Sequence, residues 1–171
     1  MNPRVLILMG SDSDWEVMAE ARAALEEMNI ASEVHISSAH RTPERTARLA
    51  REAAGRGIQV IVCGAGAAAH LAGVVAAESE LPVLGVPLAS SDLNGLDALL
   101  STAQMPGGVP VGALAVGKAG ARNAGLLAAR IVARSDPEVA ARVRAQRDRM
   151  AGEVESKDAA LQAKLGAAKK A

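Results

Sequence analysis

Short apolar runs alternate along the chain with longer stretches in which apolar residues recur at helical spacing. Short runs of this kind, bounded by polar or glycine-containing segments, are typical of β-strands. The predicted strands cover residues 5–9, 32–36, 59–63, 82–86 and 112–116. Because a strand followed by a helical stretch recurs about five times, the pattern predicts an α/β fold in which helices cover both faces of a parallel sheet.

The stretches between the runs carry helix signals. One face of the first helix is predicted to consist of Val17, Met18, Ala21, Leu25 and Met28. Thr42 is predicted to cap the second helix, since Pro43 suits a first helical turn. A charged, alanine-rich segment from Pro137 onward predicts a long C-terminal helix. We interpret residues 1–165 as a single domain and residues 166–171 as a candidate disordered tail.

Composition narrows the classes of function. The chain has 171 residues and a formal net charge of zero, which argues against a general nucleic-acid surface. Trp15 is the only aromatic residue, so platforms for base stacking are missing. Cys63 is the only cysteine, which excludes an internal disulfide framework and a cysteine-rich metal site. The apolar run at 5–9 is too short for a signal peptide and no run has membrane-spanning length, so we expect a soluble cytoplasmic protein that binds neither nucleic acid nor membrane.

Polar residues concentrate in the segments that follow the predicted strands. In parallel sheets, ligands bind beyond the carboxyl ends of the strands, in the loops that lead into helices. These segments read GSDSD (10–14), SSAHRTP (37–43), GAGAAAHL (64–71) and PLASSDLNG (87–95). We therefore search these four segments for the functional site.

The segment GAGAAAHL fits the pattern G-x-G-x-x-A of nucleotide-binding loops. A dinucleotide fingerprint normally opens the first βαβ unit and is followed by an acidic residue at the end of the next strand. Here the motif follows the third strand, and the next strand ends in GVPL without an acid. Two interpretations stay open: the backbone N–H groups of the loop bind an anion, or its small residues only permit close strand–helix packing.

The segment SSAHRTP combines an acid–base group with an anion-binding group. His40 can give and take a proton near neutral pH, and Arg41 offers the forked donors that suit phosphate or carboxylate. Ser37 and Ser38 add hydroxyl donors before a helix N-terminus. His35 lies within a predicted strand and is interpreted as structural.

The segment GSDSD offers both hydroxyl donors and carboxylate acceptors. Ser11 and Ser13 suit a phosphate, and Asp12 or Asp14 suits ribose hydroxyls. The same residues also suit helix capping, and the two roles are compatible. His70 lies at a predicted helix start, and its role stays open. The residues alone indicate a small phosphorylated ligand, an acid–base histidine and no evident metal.

Four motifs occur together in a recognisable order: MGSDSDW, SAHRTP, GAGAAAHL and QMPGGVPVG. In this order and at these distances they resemble the PurE family of purine biosynthesis, and most of all its N5-carboxyaminoimidazole ribonucleotide mutase branch. The resemblance extends over residues 4–144. Two positions depart from it: Ala67 stands where the family loop commonly has a second glycine, and Ala72 where proline is usual.

The resemblance implies a three-layer, flavodoxin-like fold and a carboxyl-transfer reaction. In the family, a carboxyl group moves from the exocyclic nitrogen of an aminoimidazole ribonucleotide to ring carbon C4, by decarboxylation and recarboxylation. The histidine of SAHRTP, here His40, is the proton-transfer group. The resemblance also implies a homo-octamer, and the scheme requires no cofactor, biotin, ATP or metal.

The resemblance further implies a set of substrate-binding residues. Arg41 would bind the 5′-phosphate with Ser13 and Ser38. Ser11 and Asp14 would contact the substrate, with Asp14 on the ribose. Gly66, His70 and Leu71 would surround the migrating carboxyl group, so that GAGAAAHL forms a pocket for carboxylate and carbon dioxide and not for a pyrophosphate.

Alternatives to the mutase reaction remain at this stage. The carboxylase branch of the family uses carbon dioxide directly; it reads SAHK and lacks the histidine loop, whereas this chain has Arg41 and His70. A non-enzymatic binding domain of flavodoxin-like fold is a further alternative. A phosphoacceptor receiver would place an aspartate at the end of the third strand, where this chain has Cys63 and Gly64, and a flavin module would usually offer aromatic residues.

Overall fold

The strands form one parallel sheet. The computed structural model describes residues 2–168, and this part of the chain contains five strands: β1 (Val5–Met9), β2 (Ser32–Ile36), β3 (Val60–Gly66), β4 (Val83–Leu88) and β5 (Gly112–Ala113). Their order across the sheet is β2-β1-β3-β4-β5, and every neighbouring pair is parallel. This order is that of the flavodoxin-like fold, so the predicted fold class is confirmed.

Helices cover both faces of the sheet and make three layers. In the described range they are α1 (Trp15–Glu27), α2 (Pro43–Ala53), α3 (Leu71–Glu78), α4 (Leu96–Ala103), α5 (Lys118–Val132) and α6 (Pro137–Ala168). Successive side chains of a strand point to opposite faces, and β1 therefore contributes to two cores. Val5, Ile7 and Met9 pack with α1 and α5, whereas Leu6 and Leu8 pack with α2 and α3. Full burial on both faces explains why β1 is continuously apolar.

Helices α1 and α5 approach each other through small residues. Ala21 and Ala24 of α1 face Ala121, Ala124 and Gly125 of α5, and all of them are buried. A Cβ atom added at Gly125 would lie 2.4 Å from the carbonyl oxygen of Ala21. The backbones are therefore too close for any side chain at this position.

Three strands differ in their bounds from the sequence prediction, and β3 and β4 each begin one residue later than predicted. Strand β3 continues to Gly66 and β4 to Leu88, since both pair along their whole length in the middle of the sheet. The last strand was predicted to reach residue 116, but β5 ends at Ala113. Beyond Ala113 the chain turns tightly into α5: a Cβ atom at Gly120 would lie 1.6 Å from the carbonyl oxygen of Ala115.

The predicted C-terminal helix is present as α6. Asp136 caps it, because its Oδ1 accepts hydrogen bonds from the N–H groups of Glu138 and Val139. The helix includes residues 166–168, which the sequence assigned to the candidate tail, and residues 169–171 lie outside the described range. Between residues 2 and 168, no helix is long and apolar enough to cross a membrane.

Replacing Gly125 with alanine tests the close approach of α1 and α5. The added methyl group meets a backbone carbonyl, so the helices must separate, and we expect the free energy of unfolding to fall by about 1–3 kcal/mol. Urea or thermal unfolding at one protein concentration measures this change. The matched control is Gly152→Ala on an open face of α6, which should stabilise the protein by up to ~1 kcal/mol through helix propensity. A Gly125→Ala variant as stable as the wild type would contradict the packing described here.

Candidate active site

The loops that follow β1, β2 and β3 meet at the carboxyl edge of the sheet. Strand β1 lies between β2 and β3, so the chain order reverses beside it and opens a crevice. The crevice is an open cleft of about 380 Å³. It is lined by Gly10, Ser11, Ser13, Asp14, Ser38, Ala39, His40, Arg41, Ala65, Gly66, Ala68, Leu71 and Ser90. Of the site residues that the resemblance implies, all line this cleft except His70, which contacts His40. Of the other candidates that the sequence offered, Ser37 is buried and Asp12 does not line the cleft.

His40 and His70 connect two of the loops by a direct imidazole contact. Nε2 of His40 lies 2.9 Å from Nδ1 of His70, and the two rings meet edge to face at 77° with centroids 5.0 Å apart. One nitrogen must donate and the other accept, so the contact holds a single proton between the rings. Both residues are exposed, which leaves the pair accessible to a ligand in the cleft.

Arg41 spans the loops after β1 and β2. Its Nη2 donates to the carbonyl oxygen of Gly10 at 2.8 Å, and its backbone N–H donates to the hydroxyl of Ser38 at 3.3 Å. One guanidinium edge is thereby anchored, while the remaining N–H donors are available to an anion. Arg41 thus supplies an oriented positive charge at one side of the cleft.

The other polar residues of SSAHRTP hold the loop to α2. The hydroxyls of Ser37 and Thr46 lie 2.8 Å apart and are buried, so Ser37 attaches the start of the loop to α2. Thr42 occupies the N-cap position of α2, as predicted, and Pro43 the first turn. The hydroxyl of Thr42, however, donates to the carbonyl oxygen of Ser38 and does not accept from the helix. Its contribution is therefore to fix the loop that presents His40.

The loop GSDSD folds into a 3₁₀ turn that runs directly into α1. The hydroxyl of Ser13 donates to that of Ser11 at 3.0 Å, and Ser11 in turn donates to Oδ1 of Asp12. This hydrogen bond lowers the pKa of the exposed Asp12 carboxyl group. Hydroxyl groups rotate freely, so Ser11 and Ser13 can redirect their protons toward an anionic ligand.

Asp14 is the carboxylate that lies in the lining of the cleft. Its Oδ2 accepts from the backbone N–H of Ser11 at 2.9 Å. Partial burial raises the pKa of Asp14, and the backbone hydrogen bonds from Ser11 and Gly10 offset only part of this effect. Hydrogen-bond donors from a ligand would stabilise its charged form further, which suits contact with ribose hydroxyls.

The turn between β3 and α3 is built from small residues. Ala67 has a φ of 49°, in the left-handed region where a Cβ atom costs about 1–2 kcal/mol. A glycine at this position, as the PurE pattern has, would carry no such penalty. The N–H of His70 donates to the carbonyl oxygen of Ala68 at 2.8 Å, and α3 begins at Leu71. The turn thus places His70 opposite His40.

Ser90 also lines the cleft, and the sequence did not predict it as a site residue. A Cβ atom at Gly66 would lie 1.7 Å from the hydroxyl oxygen of Ser90, so Ser90 can approach only because residue 66 is glycine. The loop after β4 was among the four segments searched, but nothing local distinguishes Ser90 from Ser91. Ser91 instead donates to Asp97 Oδ2 at 2.7 Å and holds the start of α4.

Other candidate groups lie outside the chemistry of the cleft. His35 lies in β2, and its Nε2 is 2.6 Å from Oε1 of Glu33, in agreement with a structural role. Burial raises the pKa of the Cys63 thiol, which keeps it protonated in the core. Across the described residues, no group of three or more His, Cys, Asp or Glu side chains is placed to hold a metal ion.

Comparisons with known proteins show which family the chain resembles. The family model of AIR carboxylase matches residues 4–153. The chain is 56% identical to the N5-carboxyaminoimidazole ribonucleotide mutase of Mycobacterium tuberculosis, over 96% of this chain and 93% of that protein. It is 53% identical to the mutase of Bacillus subtilis, over 86% of this chain and 91% of that protein.

A solved structure shows the same fold. PurE of Treponema denticola superposes with a TM-score of 0.83 at 29% sequence identity, covering 92% of this chain and 97% of that one. Together with the match of the family model, these similarities establish that the chain belongs to the AIR carboxylase family, the family of the PurE proteins.

Proposed function

We propose that the chain is an N5-carboxyaminoimidazole ribonucleotide mutase of de novo purine (IMP) biosynthesis. It would convert N5-carboxyaminoimidazole ribonucleotide into 4-carboxy-5-aminoimidazole ribonucleotide, with no cofactor. The observation that carries the proposal is the match, over nearly the whole chain, to relatives that bear this name. The cleft supports it, because an anion-binding side and a histidine pair lie in one crevice.

The charges of the cleft define how the ribonucleotide would bind. The 5′-phosphate would lie on the guanidinium of Arg41 and the hydroxyls of Ser13 and Ser38, since these donors share one side of the cleft. Ser11 and Asp14 would contact the ribose. The aminoimidazole ring would then extend toward His40, on the side where Gly66 and Ser90 meet.

His40 would carry the proton through both halves of the reaction. In the first half the N–CO₂ bond breaks, carbon dioxide leaves, and the exocyclic nitrogen takes a proton from the His40 imidazolium. In the second half C4 attacks the carbon dioxide, and the now neutral imidazole removes the C4 proton, so that the ring electron pair returns and aromaticity is restored. His40 ends as it began, which suits an isomerisation.

The wall of the cleft beside His40 suits a small neutral intermediate. Ala65, Gly66 and Ala68 offer little more than backbone, and Leu71 adds an apolar side chain. Carbon dioxide held against this wall stays within reach of C4, so recarboxylation becomes an intramolecular encounter. His70 would bind the migrating carboxyl group and orient His40, and the Ser90 hydroxyl would donate to the same group.

The proposed assembly is a homo-octamer in the cytoplasm. Three leucines are exposed at Leu93, just before α4, and at Leu96 and Leu100 within it. Exposed apolar side chains of this kind suit contact with another subunit. The adjacent segment QMPGG and the turn GAGAAAHL would then lie close to subunit boundaries.

Retention of the substrate's own carboxyl carbon tests the mutase reaction. We would supply carboxyl-labelled N5-carboxyaminoimidazole ribonucleotide in excess unlabelled bicarbonate and follow the label into the C4-carboxylated product by mass spectrometry. Most of the label should be retained, because the released carbon dioxide stays in the cleft. Product labelled only to the level of bulk bicarbonate would contradict the proposal and favour the carboxylase reaction, which takes up carbon dioxide directly.

Replacing His40 with asparagine tests the proton carrier. The variant should fold and bind the ribonucleotide with a dissociation constant close to that of the wild type, because the phosphate and ribose contacts belong to other residues. Turnover should fall by roughly 10²–10⁴-fold, the usual contribution of general acid–base catalysis. His35→Asn, on β2 beside Glu33, is the matched control and should retain activity. Near-normal turnover of the His40→Asn variant would assign proton transfer to another group.

A further inference from the structure

A second pocket adjoins the cleft on the side of Arg41. It has a volume of about 570 Å³ and shares Gly10, Ser11, Ser38 and Arg41 with the lining of the cleft. Arg45, in the first turn of α2, lines this second pocket but not the cleft. Arg41 therefore borders both spaces, and we call the second one the outer pocket.

Arg45 carries a positive charge that no other group of the described chain neutralises by contact. Its side chain is exposed, and within residues 2–168 it forms neither a hydrogen bond nor an ion pair. Arg51 on the same helix, in contrast, is paired with Glu78 at 2.6 Å. Glu44 precedes Arg45 in the sequence but lines neither pocket. The charge of Arg45 is thus available to a ligand.

The charges around the two pockets balance only because of Arg45. The carboxylate and the guanidinium that line the cleft are those of Asp14 and Arg41, one of each sign. The outer pocket adds Asp12 and Arg45, again one of each sign. Without Arg45, two carboxylates would face a single guanidinium, and an approaching anion would meet a net negative surface.

The proposed substrate is strongly anionic, so this balance affects its approach. A phosphate monoester carries about −1.5 to −2 charges at neutral pH, and the carbamate adds another negative charge. Charges near the entrance of a site raise the local concentration of an oppositely charged ligand and its rate of association. Arg45 is an exposed cation of this kind, one step outside the cleft.

We propose that the outer pocket captures the phosphate of the incoming ribonucleotide and that Arg45 supplies the charge for this capture. The identity of the ligand rests on the proposed function. From the outer pocket the phosphate would pass to Arg41 and Ser38, which border both spaces. Arg45 acts before the chemical step, so it is a residue of substrate association and not a catalytic residue.

Steady-state kinetics at low and at high ionic strength test the capture. Arg45→Gln should lower kcat/KM by roughly threefold to tenfold at low salt and leave kcat within about twofold of the wild type. At about 0.5 M salt the Debye length falls to roughly 4 Å, so the difference should disappear. Arg45→Lys keeps the charge and should remain within about twofold of the wild type throughout.

Two further variants serve as controls of position and of sign. Arg51→Gln removes the same charge from the same helix, six residues or about 9 Å further along, and should leave kcat/KM close to that of the wild type. Asp12→Asn removes the carboxylate that opposes Arg45 and should raise kcat/KM at low salt. Its amide oxygen can still accept the hydrogen bonds from Ser11 and Ser13, so the loop is kept.

The fluorescence of Trp15 provides a readout that does not depend on turnover. Trp15 is the only aromatic residue, directly follows Asp14 and is 38% exposed, so its emission reports on the loop GSDSD. In titrations with ribose 5-phosphate at low salt, Arg45→Gln should raise the dissociation constant and Arg51→Gln should not. This result in a chain without mutase activity would support the capture and refute the proposed function.

Three kinetic outcomes would overturn the proposal. The first is an Arg45→Gln variant with the same kcat/KM at low salt as Arg51→Gln. The second is a deficit that persists unchanged at high salt, which would assign Arg45 a direct contact in the bound complex. The third is a fall in kcat itself, which would indicate a role in the chemical step or in folding.

Discussion

The parallel pairing of β1 with both of its neighbours is the constraint on which the site depends. Met9 at the end of β1 is in register with Ile36 of β2 and Gly64 of β3. The N–H of Ser37 donates to the carbonyl oxygen of Met9 at 2.8 Å, so the loop that presents His40 leaves the sheet at a fixed height. A slip of one residue in either pairing would exchange the two faces of a strand and separate the loops.

A second constraint is the close approach of backbones at small residues. With a single aromatic residue in the chain, the core consists of aliphatic side chains and alanine, and glycine stands where the elements approach most closely. Helices α1 and α5 meet at Gly125, and the cleft admits Ser90 only because residue 66 is glycine.

The sequence predicted most of the fold because most of the strands are short apolar runs. Strands β1 and β2 have the predicted bounds. The loops of the cleft were also predicted correctly, because ligands bind at the carboxyl ends of the strands in parallel sheets. The end of β5 at Ala113 was predicted less well, because the apolar run continues to Val116 although the strand stops three residues earlier.

The site shows the same division between local and long-range information. His40 and Arg41 could be recognised from one loop, whereas the contact of His40 with His70 joins residues 30 positions apart and required the fold. Ser90 was missed because its place in the cleft depends on Gly66, in a different loop. The left-handed conformation of Ala67 was not predicted either, although it agrees with the glycine that the family pattern commonly has there.

A crystal structure of the His40→Asn variant with bound N5-carboxyaminoimidazole ribonucleotide tests most directly how the ribonucleotide lies in the cleft. We expect the 5′-phosphate within hydrogen-bonding distance of the Arg41 guanidinium and the Ser38 hydroxyl. We expect the carboxyl group between residue 40, Gly66 and His70. A substrate bound in the opposite direction, with its phosphate at Gly66 and His70, would contradict it.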